Sequence, residues 1–278
     1  MVVNTINEVR SLTQNRIKFV VNNPANWRSF LNCASKMYKY SFTEQVLIHA
    51  QKPDAVACTS EELWGKFYGR VINPNSDGIA LMDMGGNADL KYIYDISDTV
   101  ASDGEESPPY IWQLKPEYQD IVKQSLEGEF GGVQNVADGF QPYISRLAGV
   151  LAEEHVENED ETHYDPWYKN DWTSLIASSV EYAVLLRCGF SVGGEYNDKF
   201  RHVASVRALE DVIGLGETIQ VVSKNILSNI EKVVQREHKR EQELLKYDIQ
   251  AINETERLRM EKERGLTEEK SRRVMAYP

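Results

Sequence analysis

Aromatic and cationic side chains are interleaved between residues 38 and 91 in a pattern suited to binding unpaired bases. Tyr38, Tyr40 and Tyr68 are the predicted stacking residues, because a phenol ring can leave the core at little cost and bases stack on such rings. Cationic side chains beside the rings can contact phosphates. The predicted phosphate contacts are Lys39, Lys52, Lys66, Arg70 and Lys91.

Polar side chains in the same stretch extend this candidate site. Gln45 and Gln51 can hydrogen-bond bases or sugars in a sequence-tolerant way, and Ser41 joins them in the candidate set. An ordinary interpretation stays open for these residues as well. Each cation can be a solvated surface residue, and Ser41 can cap a helix.

The formal net charge of -12 at pH 7 is concentrated in the middle of the chain. Residues 98–170 hold four Lys/Arg and sixteen Asp/Glu, whereas residues 1–97 hold ten and nine. The first third can therefore present a basic face, with weak and salt-sensitive binding. The acidic run at 153–161 supports a different hypothesis, in which the middle of the chain mimics DNA or docks a protein.

The hydrophobic pattern predicts a series of short helices in the first third of the chain. The first predicted helix covers residues 4–21, and the second carries Trp27, Phe30, Leu31 and Ala34 on one face. Ser41 can cap the third, which ends before Pro53, and Thr59 or Ser60 caps the fourth, which Gly69 ends. Trp27 lies on an apolar face of the second helix, which favours core packing. On the fourth helix, Leu63, Trp64 and Phe67 are predicted to face inward.

Alternation with period two over 78–83 and 90–95 predicts a β-hairpin around the glycine-rich turn 84–88. Beyond a polar, acidic segment the pattern is mostly helical, and the last part alternates acids and bases. The fold class is therefore α+β, with helices packed on a small antiparallel sheet. The predicted units are a DNA-binding domain at 1–97, a linker at 98–110, a mainly helical domain at 111–235, and a charged helix and tail at 236–278.

Several motifs of the first third occur together at spacings shared with one family. They are Trp27, Tyr40-Ser41, Gln51-Lys52-Pro53, Gly69-Arg70 and Gly78-Ile79-Ala80. In these motifs residues 1–97 resemble the N-terminal domain of the ArdC-type antirestriction proteins, a single-stranded-DNA-binding module of conjugative plasmids and transposons. The resemblance implies that this part of the chain binds single-stranded DNA.

Further motifs extend the resemblance to about residue 235. They are Tyr92 to Asp98, Pro109 to Leu114 and Ser179 to Tyr182. Here the chain resembles the N-terminal region of large LtrC-like helicase and methylase proteins of integrative conjugative elements. It is expected to be such a region or a short stand-alone relative. Neither a GxxxxGK[ST] nor an NPPY-type motif occurs, so neither activity is expected.

ArdC-type proteins also have a zincin-like metallopeptidase domain, whose zinc chemistry needs an HExxH motif. The nearest fragment is Glu153-Glu154-His155, and His163 falls off the same helical face. The resemblance therefore implies a degenerate zincin-like domain, with no metal, cofactor or catalysis expected. Glu181 either occupies a former ligand position or, as the favoured interpretation, is exposed or salt-bridged.

The leading hypothesis is non-enzymatic, sequence-independent binding of single-stranded DNA in conjugative transfer or antirestriction of a mobile genetic element. The alternative is an acidic interaction module that mimics DNA or docks restriction or conjugation proteins. A third hypothesis is a metal-dependent hydrolase with an active site that no sequence motif identifies. With no signal peptide and no apolar run of membrane-spanning length, a cytoplasmic location is expected.

Overall fold

The computed structural model describes residues 5–83, 89–102, 109–133, 138–158 and 169–275. Most of these residues are helical, and the strands form small antiparallel sheets. This confirms the predicted α+β class. The α-helices are α1 (Ile6–Val20), α2 (Pro24–Ala34), α3 (Phe42–Gln51), α4 (Glu61–Tyr68), α5 (Gln119–Phe130), α6 (Phe140–Asn158), α7 (Lys169–Arg187), α8 (Tyr196–Lys199) and α9 (Leu209–Met275). Short 3-10 helices lie at Ile96–Asp98, Pro116–Tyr118 and Arg201–Ser205.

The strands are β1 (Cys58–Thr59), β2 (Arg70–Ile72), β3 (Ile79–Met82), β4 (Leu90–Asp95) and β5 (Thr99–Ala101). β4 pairs antiparallel with β3 and with β1, which confirms the two strands of the predicted hairpin. Its predicted turn at 84–88 lies outside the described residues. β2 and β5 form a separate antiparallel ribbon, so residues 99–101 of the predicted linker form a strand. Residues 103–108 of that linker also lie outside the described part of the chain.

Local sequence signals fix where the helices around the candidate site begin and end. Ser41 and Glu44 form a capping box at the start of α3, in which each side chain binds a backbone N–H group of the other residue. Ser60 caps α4 through the N–H group of its third residue. Gly69 ends α4 with a φ of 59°, a left-handed conformation that glycine adopts without steric cost.

The N-terminal core forms where α1 and α3 pack against β3 and its neighbour β4. Val9 of α1, Leu47 of α3 and Leu81 of β3 are fully buried in this cluster. Each such side chain contributes about 1.5–3 kcal/mol by leaving water. The core therefore fixes the position of α3 relative to the sheet, and with it the candidate residues of this helix and its caps, which are Ser41, Gln45, Gln51 and Lys52.

The Asp95 carboxylate organises the connection between β4 and the segment before β1. It is 1% exposed, and one oxygen accepts hydrogen bonds from the N–H groups of Val56 (2.6 Å) and Ala57 (2.9 Å). The other oxygen accepts from the N–H (3.0 Å) and hydroxyl (2.7 Å) of Ser97. Burial by itself raises the pKa of Asp95, but the hydrogen bonds from Ser97, Ala57 and Val56 outweigh it and hold the pKa below its usual value.

Helix α2 packs against α1 and α3 and also against α7 and α8. The Trp27 indole N–H donates to the Ser179 hydroxyl of α7 (2.9 Å), and the Tyr182 hydroxyl donates to the Asn32 side chain (2.7 Å). The core packing predicted for Trp27 is confirmed. Such contacts make Met1–Glu231 one compact unit, and its predicted division into domains stays a prediction.

A second unit, Lys232–Pro278, is helical as far as Met275. Ion pairs between residues three or four apart run along it, including Arg257 with Glu254 (2.9 Å) and with Glu261 (3.9 Å). Such pairs support a helix of low apolar content, and the predicted charged helix is confirmed. Among the described residues, no helix combines the length and the apolar character that crossing a membrane requires.

Replacing Asp95 with asparagine should lower the free energy of unfolding by about 2–4 kcal/mol, because an amide NH2 would face donors that now bind a carboxylate. Urea unfolding followed by circular dichroism measures the change. Asp77→Asn, at an exposed position, is the matched control and should alter stability by less than about 0.5 kcal/mol. Equal stability of the two variants would contradict the role given to Asp95.

Candidate nucleic-acid interface

The predicted polar contacts are engaged with the backbone. Gln45 is buried, and its amide donates to the Met37 carbonyl (3.0 Å). Gln51 accepts from the Ala80 N–H (3.0 Å) and donates to the Ala80 carbonyl (2.9 Å). Ser41 caps α3. These side chains therefore hold α3 to the turn before it and to β3, and their polar groups are partnered in the folded protein.

The packing corrects the stacking role predicted for Tyr38. Its ring is 4% exposed, and its hydroxyl donates to Glu231 (2.7 Å) and accepts from the Trp112 indole N–H (3.1 Å). Burial, and then the hydrogen bond to Glu231, raises the pKa of this phenol. Tyr40 is half-buried, with its hydroxyl donating to the Cys58 carbonyl (2.8 Å). A base cannot stack on Tyr38 while this packing holds.

Most of the predicted phosphate contacts are paired within the protein. The ion pairs are Lys39 with Glu231 (2.8 Å), Lys52 with Asp98 (2.7 Å) and Lys91 with Glu44 (2.7 Å). The Arg70 guanidinium donates to the Thr99 hydroxyl (2.6 Å) and carbonyl (2.9 Å), which ties β2 to β5. A phosphate must therefore compete with these partners, and it does so most easily at Lys39, the most exposed of the paired lysines.

The open part of the candidate region is the last turn of α4, called here the α4 end and formed by Lys66, Phe67 and Tyr68. Lys66 and Tyr68 belong to the predicted set, and Phe67 does not. Phe67 is 65% exposed and Tyr68 is 49% exposed, and the Lys66 ammonium lies 5.3 Å from the Phe67 ring centroid. Tyr68 packs beside the buried Trp64, whose indole N–H donates to the Tyr94 carbonyl (2.8 Å). Trp64 thus anchors α4 to the sheet, while the last turn presents its side chains to solvent.

The inward face predicted for α4 needs a correction. Trp64 is buried as predicted, but Leu63 and Phe67 are exposed. The helix is only eight residues long, and Trp64 is the side chain that it buries. Phe67, which the apolar pattern assigns to the core, therefore belongs to the candidate surface.

Tyr92 is a further exposed ring that the predicted set lacks. It shares one face of β4 with Tyr94, because side chains alternate along a strand and Ile93 points into the core. Tyr94 covers Gly78, where an added Cβ would meet the ring at 2.9 Å and the φ of 69° disfavours other residues. The alternating sequence LKYIYD marks this tyrosine face, so the signal for Tyr92 is present in the sequence.

The helical region gives Glu181 a structural partner. Its carboxylate accepts hydrogen bonds from the Ser145 hydroxyl and from the Lys199 ammonium, the latter at 2.8 Å. The salt-bridged interpretation of Glu181 is confirmed. His163 lies outside the described residues. Within the described ranges, no group of three or more His, Cys, Asp or Glu side chains is placed to hold a metal ion, and the zincin-like origin stays a prediction.

Comparison of the chain with models of protein families, with curated proteins and with solved structures finds no match. The resemblance to the ArdC-type and LtrC-like families therefore stays a prediction based on the motifs of this sequence. The same holds for the DNA-binding and antirestriction roles that the resemblance implies.

His49 of α3 is a buried histidine with one unpartnered nitrogen. It is 6% exposed, its Nε2 lies 3.2 Å from the Ser29 hydroxyl, and its Nδ1 has no hydrogen-bond partner within the described part of the chain. Burial, together with the positive charge of Arg16, lowers the pKa of His49 from 6.5 to about 4. The folded protein therefore resists protonation of this ring, whereas the unfolded chain does not.

The stability contributed by neutral His49 should be complete above pH 6.5 and should be lost as the pH falls towards 4, because only the unfolded state binds the proton in that window. The slope from this residue should approach about 1.4 kcal/mol per pH unit. Urea unfolding at several pH values between 7 and about 4 measures it. His49→Gln should flatten the curve, and parallel curves for the two proteins would contradict the assignment.

Proposed function

We propose that the chain binds single-stranded DNA without sequence preference, with the α4 end as the stacking surface. The observation that carries the proposal is the pair of consecutive exposed rings, Phe67 and Tyr68, with the Lys66 ammonium beside them. Unpaired bases stack on exposed aromatic rings whatever their sequence, and each contact contributes about 1–3 kcal/mol. A neighbouring cation can hold the phosphate that links the stacked bases.

Groups beside the α4 end can lengthen the DNA contact. Val71 of β2 and Val100 of β5 face each other across the ribbon that follows α4, and both are exposed. Tyr92 adds an exposed ring on β4, a strand that α4 contacts. Apolar and aromatic groups suit the faces of bases, which are covered by their neighbours in a duplex. The proposal therefore includes a preference for single strands.

Electrostatics limit the affinity that this surface can reach. Lys66 makes a ring contact and no ion pair within the described residues, whereas Lys39, Lys52 and Lys91 each have a carboxylate partner. The net charge of -12 adds no long-range attraction for DNA. Stacking should therefore supply most of the binding free energy, with a shallow dependence on salt.

The resemblance to the ArdC-type N-terminal domain supports the same proposal by a separate route. The motifs that carry it include Gly69-Arg70, which directly follows the α4 end, and Gly78-Ile79-Ala80, which leads into β3. On this basis we assign the chain a non-enzymatic role in conjugative transfer or antirestriction of a mobile genetic element, in the cytoplasm of its host.

A second candidate function is the docking of a restriction or conjugation protein on an acidic surface. Glu153, Glu154 and Glu157 of α6 are exposed close together, which favours a basic partner surface. Residues 159–161 of the same acidic run lie outside the described residues. This candidate predicts a protein ligand and no measurable affinity for DNA.

Replacing both Phe67 and Tyr68 with alanine should weaken binding of a labelled single strand of about 30 nucleotides by tenfold or more, because two stacking contacts are lost. Fluorescence anisotropy at low and moderate salt measures the affinity. Lys66→Gln should have a smaller effect and should reduce the slope of log K against log salt by about 0.7, the value for one phosphate contact on a single strand.

The matched control is Phe19→Ala on α1, where an exposed ring also carries a cation, with the Arg16 guanidinium 4.9 Å from its centroid. Its affinity should stay within about twofold of the wild type, since one ring apart from the α4 end adds no stacking site. A duplex of the same sequence should bind more weakly. Absence of binding at tens of micromolar protein in low salt, or an equal loss in Phe19→Ala, would overturn the proposal.

A further inference from the structure

A two-lobed cleft lies between α6, α7, α8 and the 3-10 helix at Arg201–Ser205, and the DNA-binding proposal does not use it. The larger lobe has a volume of about 480 Å³ and the smaller lobe about 320 Å³. Ser145, Glu181 and Lys199 line both lobes and therefore mark the boundary that the two lobes share. Volumes of this size suit a small organic ligand.

Helix α7 supplies one wall of the larger lobe with a row of polar side chains at helical spacing. These side chains are Asp171, Ser174, Ser178 and Glu181. Apolar side chains also line the smaller lobe, among them Pro142, Leu185, Val192 and Tyr196. A ligand that fits both lobes therefore combines charged groups, one for each lobe, with a short apolar stretch.

The charge of the lining selects the sign of the ligand. Four carboxylates line the two lobes, those of Asp171, Glu181, Glu195 and Asp198, against the permanent cations Lys199 and Arg201. Among the described residues, the exposed Asp198 carboxylate has no ion-pair partner. Four against two leaves an excess of two negative charges when histidine is neutral, so the cleft disfavours phosphates and favours a cation.

The Arg201 guanidinium, which also lines the larger lobe, is hydrogen-bonded within the protein. The Arg201 Nε donates to the Nε2 of His202 (2.7 Å), and the Nδ1 of His202 lies 3.4 Å from an oxygen of Asp171. This chain of contacts makes Nε2 the acceptor and leaves the proton of the neutral ring on Nδ1, towards Asp171. His202 therefore holds the Arg201 side chain in place, and Arg201 keeps its full positive charge in the lining.

The contacts of the Lys199 side chain show which kind of chemical group the cleft can bind. Its ammonium lies 2.8 Å from a Glu181 oxygen and 4.4 Å from the centroid of the Tyr196 ring. A carboxylate combined with an aromatic face is the arrangement by which proteins bind organic ammonium groups. The Ser145 hydroxyl binds the same carboxylate and fixes its orientation. The junction of the two lobes thus holds an alkylammonium that belongs to the protein itself.

We propose that this cleft binds a linear polyamine, with ammonium groups at the carboxylates of the two lobes and methylene groups along the apolar sides. Asp198 would receive one ammonium in the larger lobe, and Glu195 would receive another in the smaller lobe. A metal ion is a poorer fit, because within the described ranges the acidic and histidine side chains form no group able to hold one. An alkylammonium satisfies the same charges without close convergence of ligands.

Isothermal titration of spermidine into the full chain at constant ionic strength tests the proposal. The wild type should bind with saturable, one-site behaviour. The double variant Glu195→Gln/Asp198→Asn should bind at least fivefold more weakly, because it removes one carboxylate from each lobe. Its matched control is Glu117→Gln/Asp120→Asn, which makes the same chemical changes at exposed positions that do not line the cleft. The control should stay within twofold of the wild type.

The proposed site would be contradicted if both double variants lost spermidine affinity equally, or if the heat of binding depended only on ionic strength. Either result would indicate general attraction of the polyamine to an acidic protein. N-acetyl-lysine amide, which carries one ammonium, distinguishes a free polyamine from a lysine side chain of a partner. It should bind at least tenfold more weakly than spermidine, and equal affinity would overturn the polyamine assignment. Asp198→Glu, which keeps the charge, should retain most of the affinity.

Discussion

The buried hydrogen bond between the Trp27 indole and the Ser179 hydroxyl is the contact on which the arrangement of the larger unit depends. The two residues are 152 positions apart in the sequence and both are fully buried. Water therefore cannot replace the hydroxyl as the hydrogen-bond partner of the indole N–H. Leaving it unpaired would cost about 1–3 kcal/mol. The bond holds α2 to α7, and Phe30 of α2 meets the Phe42 ring of α3 edge to face. The helical region and the N-terminal fold therefore support each other through α2.

This mutual support explains why several candidate residues serve the fold first. Tyr38 has the residue type and the spacing of a stacking residue, yet its hydroxyl joins Trp112 and Glu231 far along the chain. Gln51 has the chemistry to bind a base, yet it pairs with both backbone groups of Ala80. The same polar groups that recognise nucleic acid also satisfy buried backbone, and the folded structure decides between the two uses.

The sequence predicts the elements whose signals are local. The capping box of Ser41 and Glu44 gives the start of α3, and period-two alternation gives the paired strands β3 and β4. It does not predict the ribbon of β2 and β5, because strands of three residues carry too few positions for a pattern. The misplacement of Phe67 has a similar cause, since α4 buries Trp64 and no more. The contact of Trp27 with Ser179 depends on the tertiary fold and leaves no local signal.

The two proposed sites lie in one compact unit but suit ligands of opposite charge. At the α4 end Lys66 repels an amine, and in the cleft Glu181, Glu195 and Asp198 repel a phosphate, so neither ligand can occupy the site of the other. Binding at one site can still influence binding at the other through the electrostatic field of the whole chain. A bound polyamine would offset part of the net charge of -12 and so lessen the long-range repulsion of DNA without touching the stacking surface. Binding at the cleft would then favour binding at the α4 end most at low ionic strength, where unscreened charge acts over the greatest distance.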